Sequence, residues 1–121
     1  MHAFETGRFG EALARHYLEE RGYRIVGQNI RFRFGEIDLV ATRDDYLVFV
    51  EVKTRRREGN FGTGREAVTL RKSSRLVRLA QAYVLRYGCD GRRIRFDVIE
   101  VVLDVRRRKA RVLHLPNAFE M

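Results

Sequence analysis

The sequence has very little cysteine and almost no proline: Cys89 and Pro116 are the only residues of either type among 121. A single cysteine excludes an internal disulfide and a cysteine-rich zinc site. Long apolar runs are absent too, since none approaches the roughly 20 residues of a membrane-spanning helix, and the first residues lack the apolar stretch of a signal peptide. We therefore expect a cytoplasmic protein with no membrane association, folded as a single domain over residues 1–121.

Lysine is scarce in a strongly basic chain. The 25 basic residues exceed the 16 acidic ones and leave a formal charge of +9, yet only Lys53, Lys72 and Lys109 are lysines. A surplus of this size favours polyanionic partners such as DNA, RNA or an anionic membrane surface, although a solvated basic surface fits the same composition. Because arginine is the default cation here, each lysine marks a place where a compact ammonium could suit a small polar site.

The apolar pattern predicts two helices, over residues 4–21 and 66–87, and five strands, over residues 23–32, 35–42, 46–53, 93–105 and 110–115. This order predicts an α/β fold with one central mixed β-sheet flanked by α-helices. The buried side of the second helix is expected to carry Leu76, Leu79, Ala80, Tyr83 and Tyr87. Residues 54–65 contain three glycines and four arginines without an apolar period, which predicts a mobile basic loop.

The strands over 35–42 and 46–53 are close enough in sequence to form an antiparallel hairpin. With Asp44 and Asp45 at its tip, opposed residues have numbers that sum to 89. One face then pairs apolar residues only: Ile37 with Val52, Leu39 with Val50, and Ala41 with Val48. The other face pairs Glu36 with Lys53, Asp38 with Glu51, Val40 with Phe49, and Thr42 with Leu47. A loop of odd length would place apolar residues opposite charged ones, so this register is favoured.

This register makes Asp38 and Glu51 cross-strand neighbours, with Cβ atoms roughly 5 Å apart. Two carboxylates at that distance repel by about 3 kcal/mol at an effective dielectric constant of about 20. A divalent cation between them removes the repulsion, and Mg²⁺ and Mn²⁺ prefer oxygen ligands. Lys53 shares their face, where an ammonium beside a metal can orient water and stabilise a phosphate transition state. Alternatively, these charges are only solvated at strand ends and Glu36 forms a surface ion pair with Lys53.

Three segments carry a resemblance to a known family, and they read GEIDL at 35–39, FVEVKTR at 49–55 and RFDV at 95–98. They resemble the YraN-like bacterial proteins, a family of predicted endonucleases, and the resemblance covers nearly the whole chain, including Gly10 and Glu11. The spacing of Asp38, Glu51 and Lys53 also resembles the D…(D/E)-x-K centre of restriction-endonuclease-like nucleases. The layout is similar to that of archaeal Holliday-junction resolvases.

The resemblance implies a role for each of these residues. Asp38 and Glu51 would ligate Mg²⁺ or Mn²⁺, with the backbone carbonyl of Val52 as a further ligand. Lys53 would assist the attacking water, and Glu11 would complete the catalytic set. The proline that precedes the aspartate in the classical motif is absent from this chain.

Other polar residues have a structural interpretation beside the functional one. Glu11 lies on the helical stripe that should bury Leu18, which places its carboxylate on or beside an apolar face. Arg95 and Asp97 share one face of a strand, which favours a structural ion pair. His114 shows no metal-ligand spacing and is expected to be incidental.

With the acidic pair and the basic charge, the resemblance implies a Mg²⁺- or Mn²⁺-dependent endonuclease that hydrolyses phosphodiesters in DNA, in branched or single-stranded form. Contacts to backbone phosphates are expected from the basic loop and the following helix, through Arg55, Arg56, Arg57, Arg65 and Lys72. A homodimer would let so small a domain contact two strands. One alternative is a nucleic-acid-binding module with weak or no catalysis on a nuclease fold, and another is an RNA-binding or ribosome-associated protein. The repelling carboxylates favour the enzyme, because neither alternative has a need for them.

Overall fold

The computed structural model describes residues 3–57 and 70–119. Its elements follow the order α1 (Ala3–Glu20), β1 (Arg24–Phe32), β2 (Gly35–Arg43), β3 (Tyr46–Arg57), α2 (Leu70–Tyr87), β4 (Arg93–Asp104) and β5 (Lys109–Phe119). The five strands of these regions form one sheet in sequence order, in which β3 and β4 are parallel and all other neighbours are antiparallel. A parallel pair needs a crossover connection, and α2 lies in it. The predicted α/β class with a mixed sheet is confirmed, and the arrangement is that of a restriction-endonuclease-like fold.

The first helix ends in a hydrogen-bonded motif centred on Gly22. Gly22 adopts a φ of 87°, a left-handed conformation that glycine accepts without steric cost. The N–H of Tyr23 then donates to the carbonyl of Leu18 at 3.0 Å, and the N–H of Gly22 donates to that of Glu19 at 3.2 Å. This pair of hydrogen bonds is the Schellman ending of a helix. The end predicted near residue 21 is therefore correct within one residue.

The second helix packs through the residues that the sequence predicted, with one exception. Leu76, Leu79 and Ala80 are at most 2% exposed. The burial predicted for Tyr87 is wrong, since its side chain is 56% exposed. Tyr87 lies in the last turn of α2, where its ring contacts that of Tyr83 at 4.8 Å between centroids.

Each face of the sheet carries its own core. On what we call the α1 face, the buried residues include Ala14, Leu18, Leu39, Ala41, Val48, Val50, Ile99 and Val101. On what we call the α2 face, they include Ile37, Val40, Leu47, Phe49, Leu76, Leu79 and Phe96. Because helices cover both faces, strands β2 and β3 are apolar on both sides, as expected for the centre of such a sheet.

The predicted hairpin register is confirmed near the turn and wrong beyond it. Residues whose numbers sum to 89 are paired from Arg43 and Tyr46 up to Leu39 and Val50. There the ladder ends, so the pairs predicted beyond it are not formed: Asp38 with Glu51, Ile37 with Val52, and Glu36 with Lys53. The predicted apolar face is also broken, because Ile37 packs on the α2 face and Leu39 on the α1 face.

The neighbouring strand is irregular at the same position. The ladder between β1 and β2 pairs Gln28 with Leu39 and Ile30 with Ile37, and Asn29 stands between them opposite Asp38. Asn29 has a φ of 51°, a left-handed value that is foreign to a regular strand. The alternation of side chains in β2 is thus interrupted at Asp38.

The predicted loop over residues 54–65 is wrong in its first part. Thr54–Arg57 continue β3 and pair in parallel with Val101–Asp104 of β4. A distant strand supplies these hydrogen bonds, so a search for a local apolar period could not find them. Residues 58–65 of that loop, and residues 66–69 of the predicted helix, lie outside the described residues. Within the described regions, no helix combines the length and apolarity needed to cross a membrane.

Candidate functional site

Asp38 lies where strands β2 and β3 separate. Just past the last paired residues, its carboxylate Oδ2 accepts a hydrogen bond from the backbone N–H of Val52 at 2.8 Å. Strand N–H groups lie in the plane of a sheet and point at the neighbouring strand. The carboxylate therefore occupies the gap between the two strands, where it replaces a ladder hydrogen bond.

This position makes the Asp38 carboxylate difficult to ionise. Burial raises the pKa of Asp38 from 3.8 to about 7, although the hydrogen bond from Val52 opposes the shift. The negative charges of Glu51, Glu11 and Glu36 raise this pKa further, in that order of size. Three elements thus bring four carboxylates into electrostatic reach of one another, with Asp38 at the centre.

A cavity of about 450 Å³ opens beside Asp38, and we call it the acidic cavity. It is lined by Gly7, Arg8, Glu11, Asn29, Arg31, Glu36 and Asp38. Glu11 is held there by the side chain of Asn29, whose Nδ2 donates to Oε1 at 2.9 Å. Glu36 is 3.8 Å from the guanidinium of Arg31, its cross-strand partner. Glu36 therefore forms an ion pair, as one interpretation predicted, but its partner is Arg31 and not Lys53.

The close approach of α1 to the sheet depends on a glycine beside Glu11. Gly10 is buried, and a Cβ at this position would lie within 3 Å of three side-chain atoms of Thr54. Real Cβ atoms do not approach other atoms so closely. Gly10 therefore lets α1 contact β3 directly, and this contact carries Glu11 to the acidic cavity.

Glu51 and Lys53 reach the site along β3. Val50 and Val52 pack on the α1 face, so the alternation of a strand places Glu51 and Lys53 on the α2 face, and both side chains are half-buried. The carbonyl of Val52 points to the same neighbour as its N–H, which is the side of Asp38. Asp38 thus lies between Glu11, which comes from the α1 face of the sheet, and Glu51, which is on the α2 face.

The residues predicted to contact nucleic acid are only partly within the described regions. Arg55 is 3.3 Å from Glu100, so part of its charge serves an internal ion pair. Arg56 is exposed and Arg57 is half-buried, both at the end of β3. Arg65 lies outside the described residues, as does the side chain of Lys72, whose backbone is in the first turn of α2.

Comparison with known proteins places this arrangement in a family. Residues 10–101 match the family described as "Uncharacterised protein family UPF0102". The chain belongs to this family. It is 50% identical to a UPF0102 protein of Alkaliphilus oremlandii over 117 residues, which cover 95% of this chain and 97% of the relative. It is 53% identical to one of Symbiobacterium thermophilum over 96 residues (79% and 80%), and 47% identical to one of Pelotomaculum thermopropionicum over 113 residues (93% and 93%). UPF0102 is the family of the YraN-like proteins, so the predicted resemblance is confirmed at family level.

Two polar residues of this UPF0102 chain that contact the predicted site residues were missed in the sequence. Asn29 interrupts a strand and could have been suspected, because asparagine is rare in strands and tolerates a positive φ. Glu100 is 4% exposed and stands in the apolar run of β4, directly opposite Lys53 of β3. A carboxylate within an apolar run is the signal that could have found it, because buried acids need a partner.

A separate buried cluster on the α1 face is centred on Asp97. Its fully buried carboxylate accepts hydrogen bonds from Arg95 at 2.8 and 2.9 Å, and from the backbone N–H of Asn117 at 3.0 Å. The predicted ion pair with Arg95 is confirmed. The prediction that His114 is incidental is wrong, since its Nε2 lies 2.7 Å from Asp97. Burial opposes ionisation of Asp97, but the hydrogen bonds from His114, Arg95 and Asn117 hold its pKa below the ordinary value.

The donor set around Asp38 fits a hard divalent cation that keeps part of its water. Within residues 3–57 and 70–119, no three side chains of His, Cys, Asp or Glu come together as a ready-made metal site. Mg²⁺ does not need one, because it is commonly held by one or two carboxylates, several waters and the phosphates of a substrate. Asp38, Glu51 and the Val52 carbonyl would supply oxygen donors of this kind, and burial together with the charges of Glu51, Glu11 and Glu36 raises the pKa of Asp38.

Proposed function

We propose that this UPF0102 protein is a divalent-metal-dependent endonuclease that hydrolyses phosphodiesters in DNA. One observation carries the proposal: the half-buried carboxylate of Asp38 lies at the point where β2 and β3 separate, among the charges of Glu51, Glu11 and Glu36. Gathering these acids destabilises the fold, because each one disfavours the ionised form of Asp38. A bound cation reverses that effect and makes the same arrangement favourable.

In this proposal Asp38, Glu51 and the carbonyl of Val52 hold Mg²⁺ or Mn²⁺. The ion, when bound, would supply a Lewis acid for the phosphate and lower the pKa of a coordinated water. The N–H of Val52 fixes the Asp38 carboxylate at 2.8 Å, so one ligand is oriented before any ion arrives.

The remaining roles belong to side chains on either side of Asp38. Lys53 offers an ammonium that orients the attacking water and neutralises charge that develops on the phosphate. Glu11, held by Asn29 at 2.9 Å, faces the acidic cavity and assists by holding a water there. DNA as the partner, and a homodimer that would present two such sites, belong to the same proposal.

A second candidate is a nucleic-acid-binding module without catalysis. It is favoured by the absence, within the described residues, of three side chains gathered as a metal site. The acids gathered around Asp38 favour the enzyme, because a surface that only binds phosphates gains nothing from clustered negative charge.

The test combines metal binding with cleavage. Isothermal titration with Mn²⁺ should give binding to the wild type that Asp38→Asn weakens at least tenfold, and Asp44→Asn, in the turn of the same hairpin, should leave it unchanged. Cleavage of linear, nicked, flapped and four-way DNA should be lost in Asp38→Asn. Lys53→Met should keep Mn²⁺ binding and lower the cleavage rate roughly a hundredfold or more.

Equal Mn²⁺ binding by Asp38→Asn and the wild type would refute the proposal. Binding of Mn²⁺ without cleavage of any of these substrates would support the binding module instead.

A further inference from the structure

A second cavity, of about 440 Å³, opens at the end of the sheet where β3 and β4 finish and β5 begins. It is lined by five cationic side chains, one carboxylate and an alanine: Arg57, Arg106, Arg107, Lys109, Arg111, Asp104 and Ala110. We call it the cationic cavity. A concave surface with one sign of charge concentrates ions of the opposite sign, so this cavity selects an anion.

The sheet itself assembles the cationic cavity. Asp104 of β4 is directly opposite Arg57 of β3 and Lys109 of β5, so the three side chains share one face. The carboxylate of Asp104 accepts the backbone N–H of Arg107 at 3.1 Å and lies 4.0 Å from its guanidinium. Asp104 therefore stabilises the turn. The cavity lining still contains more cationic side chains than acidic ones.

The turn between β4 and β5 concentrates positive charge. Arg106–Lys109 are four consecutive basic residues, and Arg108 among them has a φ of 52°. Glycine or asparagine adopts that conformation at lower cost than a long side chain does. Arg108 thus stands at a position where the fold alone would favour a smaller residue, between the cavity-lining Arg107 and Lys109.

The cationic cavity and the candidate active site share strand β3. Glu51, Lys53 and Arg57 are separated by even numbers of residues in β3, so they share the α2 face. Arg57 is four residues beyond Lys53, or about 13 Å along the strand. The cationic cavity therefore lies at the C-terminal end of β3, beyond Lys53 on the same face of the strand.

We propose that the cationic cavity binds a backbone phosphate of the same DNA strand whose phosphodiester lies at Lys53. Arginine suits this ligand, because its planar fork donates two parallel hydrogen bonds to phosphate oxygens. Such contacts fix the position of the strand and carry no information about base sequence. The choice of DNA rests on the proposed function; the selection of a phosphate rests on the cavity alone.

The test measures DNA binding without catalysis. A Lys109→Gln/Arg111→Gln variant is compared with a charge-matched control, Arg24→Gln/Arg86→Gln, whose residues are exposed at the opposite end of the molecule. Fluorescence anisotropy with labelled single-stranded DNA, in EDTA and over a series of salt concentrations, gives Kd and its salt dependence. The cavity variant should raise Kd roughly tenfold and lower the slope of log Kd against log salt by about 0.7 per lost phosphate contact, while the control stays near the wild type.

The outcomes separate this inference from the nuclease proposal. Equal Kd and equal salt slope for the cavity variant and the control would overturn it, as would a wild type that does not bind DNA. A higher Kd and a smaller salt slope for the cavity variant than for the control, both measured in EDTA, would support the inference. Failure of the wild type to cleave any DNA with Mn²⁺, beside an intact difference in binding, would refute only the nuclease.

Discussion

Replacing Asp38 by asparagine should make the metal-free protein more stable at neutral and alkaline pH. Asparagine keeps an oxygen that can accept the N–H of Val52, which is 2.8 Å from Oδ2 of the native carboxylate. It removes the negative charge that burial and Glu51, Glu11 and Glu36 oppose. The substitution therefore relieves a cost without breaking the contact that closes the gap between the strands.

The size of the effect follows from the pKa. In the folded state the pKa of Asp38 is raised to about 7, against 3.8 for an ordinary aspartate. Between these values the folded protein holds a proton that the unfolded chain has lost, so the free energy of unfolding falls as pH rises. The slope is about 1.4 kcal/mol per pH unit and the total about 4 kcal/mol, after which stability is flat above pH 7. Native domains have a margin of roughly 5–15 kcal/mol, so this cost is large.

Urea unfolding in EDTA at several pH values provides the assay. The stability of Asp38→Asn minus that of the wild type should grow by about 3 kcal/mol between pH 5 and pH 8. Asp44→Asn, an exposed aspartate in the turn of the same hairpin, serves as the control and should show no such growth. A difference between Asp38→Asn and wild type that is independent of pH would refute the reasoning. Mn²⁺ at pH 8, at a concentration that saturates the wild type, should stabilise the wild type more than the Asp38→Asn variant.

Two further substitutions test the packing that surrounds the site. Gly10→Ala should destabilise the protein by about 1–3 kcal/mol, because its Cβ would collide with Thr54, whereas Gly7→Ala, with open space around its Cβ, should stabilise α1 by up to about 1 kcal/mol. Equal effects of the two in urea unfolding would contradict the close contact. Asp97→Asn should cost about 3 kcal/mol at pH 7, because it leaves Arg95 without its buried partner. The pKa of Asp97 is lowered by folding, so this contribution is present above about pH 4 and should disappear as the pH falls below that value; a cost that stays constant down to pH 2 would show that charge is not its cause.

Much of the fold could be predicted because its signals are local. The end of α1 near Gly22, the strand pair around residues 39–50 and the apolar side of α2 at Leu76, Leu79 and Ala80 all follow from residue type and spacing. The errors lie where a distant partner decides. Thr54–Arg57 are basic and lack an apolar period, yet they form strand because β4 runs beside them. His114 has no motif around it, yet it lies against Asp97 because β5 returns along β4.

The sequence by itself determined which residues the proposed site contains: an aspartate, a glutamate and a lysine on adjacent strands, with a glutamate in the first helix. Only the tertiary structure decided how they meet. The ladder between β2 and β3 ends beside Asp38, where Asn29 of the neighbouring strand has a positive φ and the carboxylate accepts the N–H of Val52. Strict alternation would have placed Asp38 on one face with Glu51; the interruption puts it in the plane of the sheet, within reach of Glu11 as well. Side-chain alternation predicts the two faces of a regular strand only, and Asp38 lies where β2 is irregular.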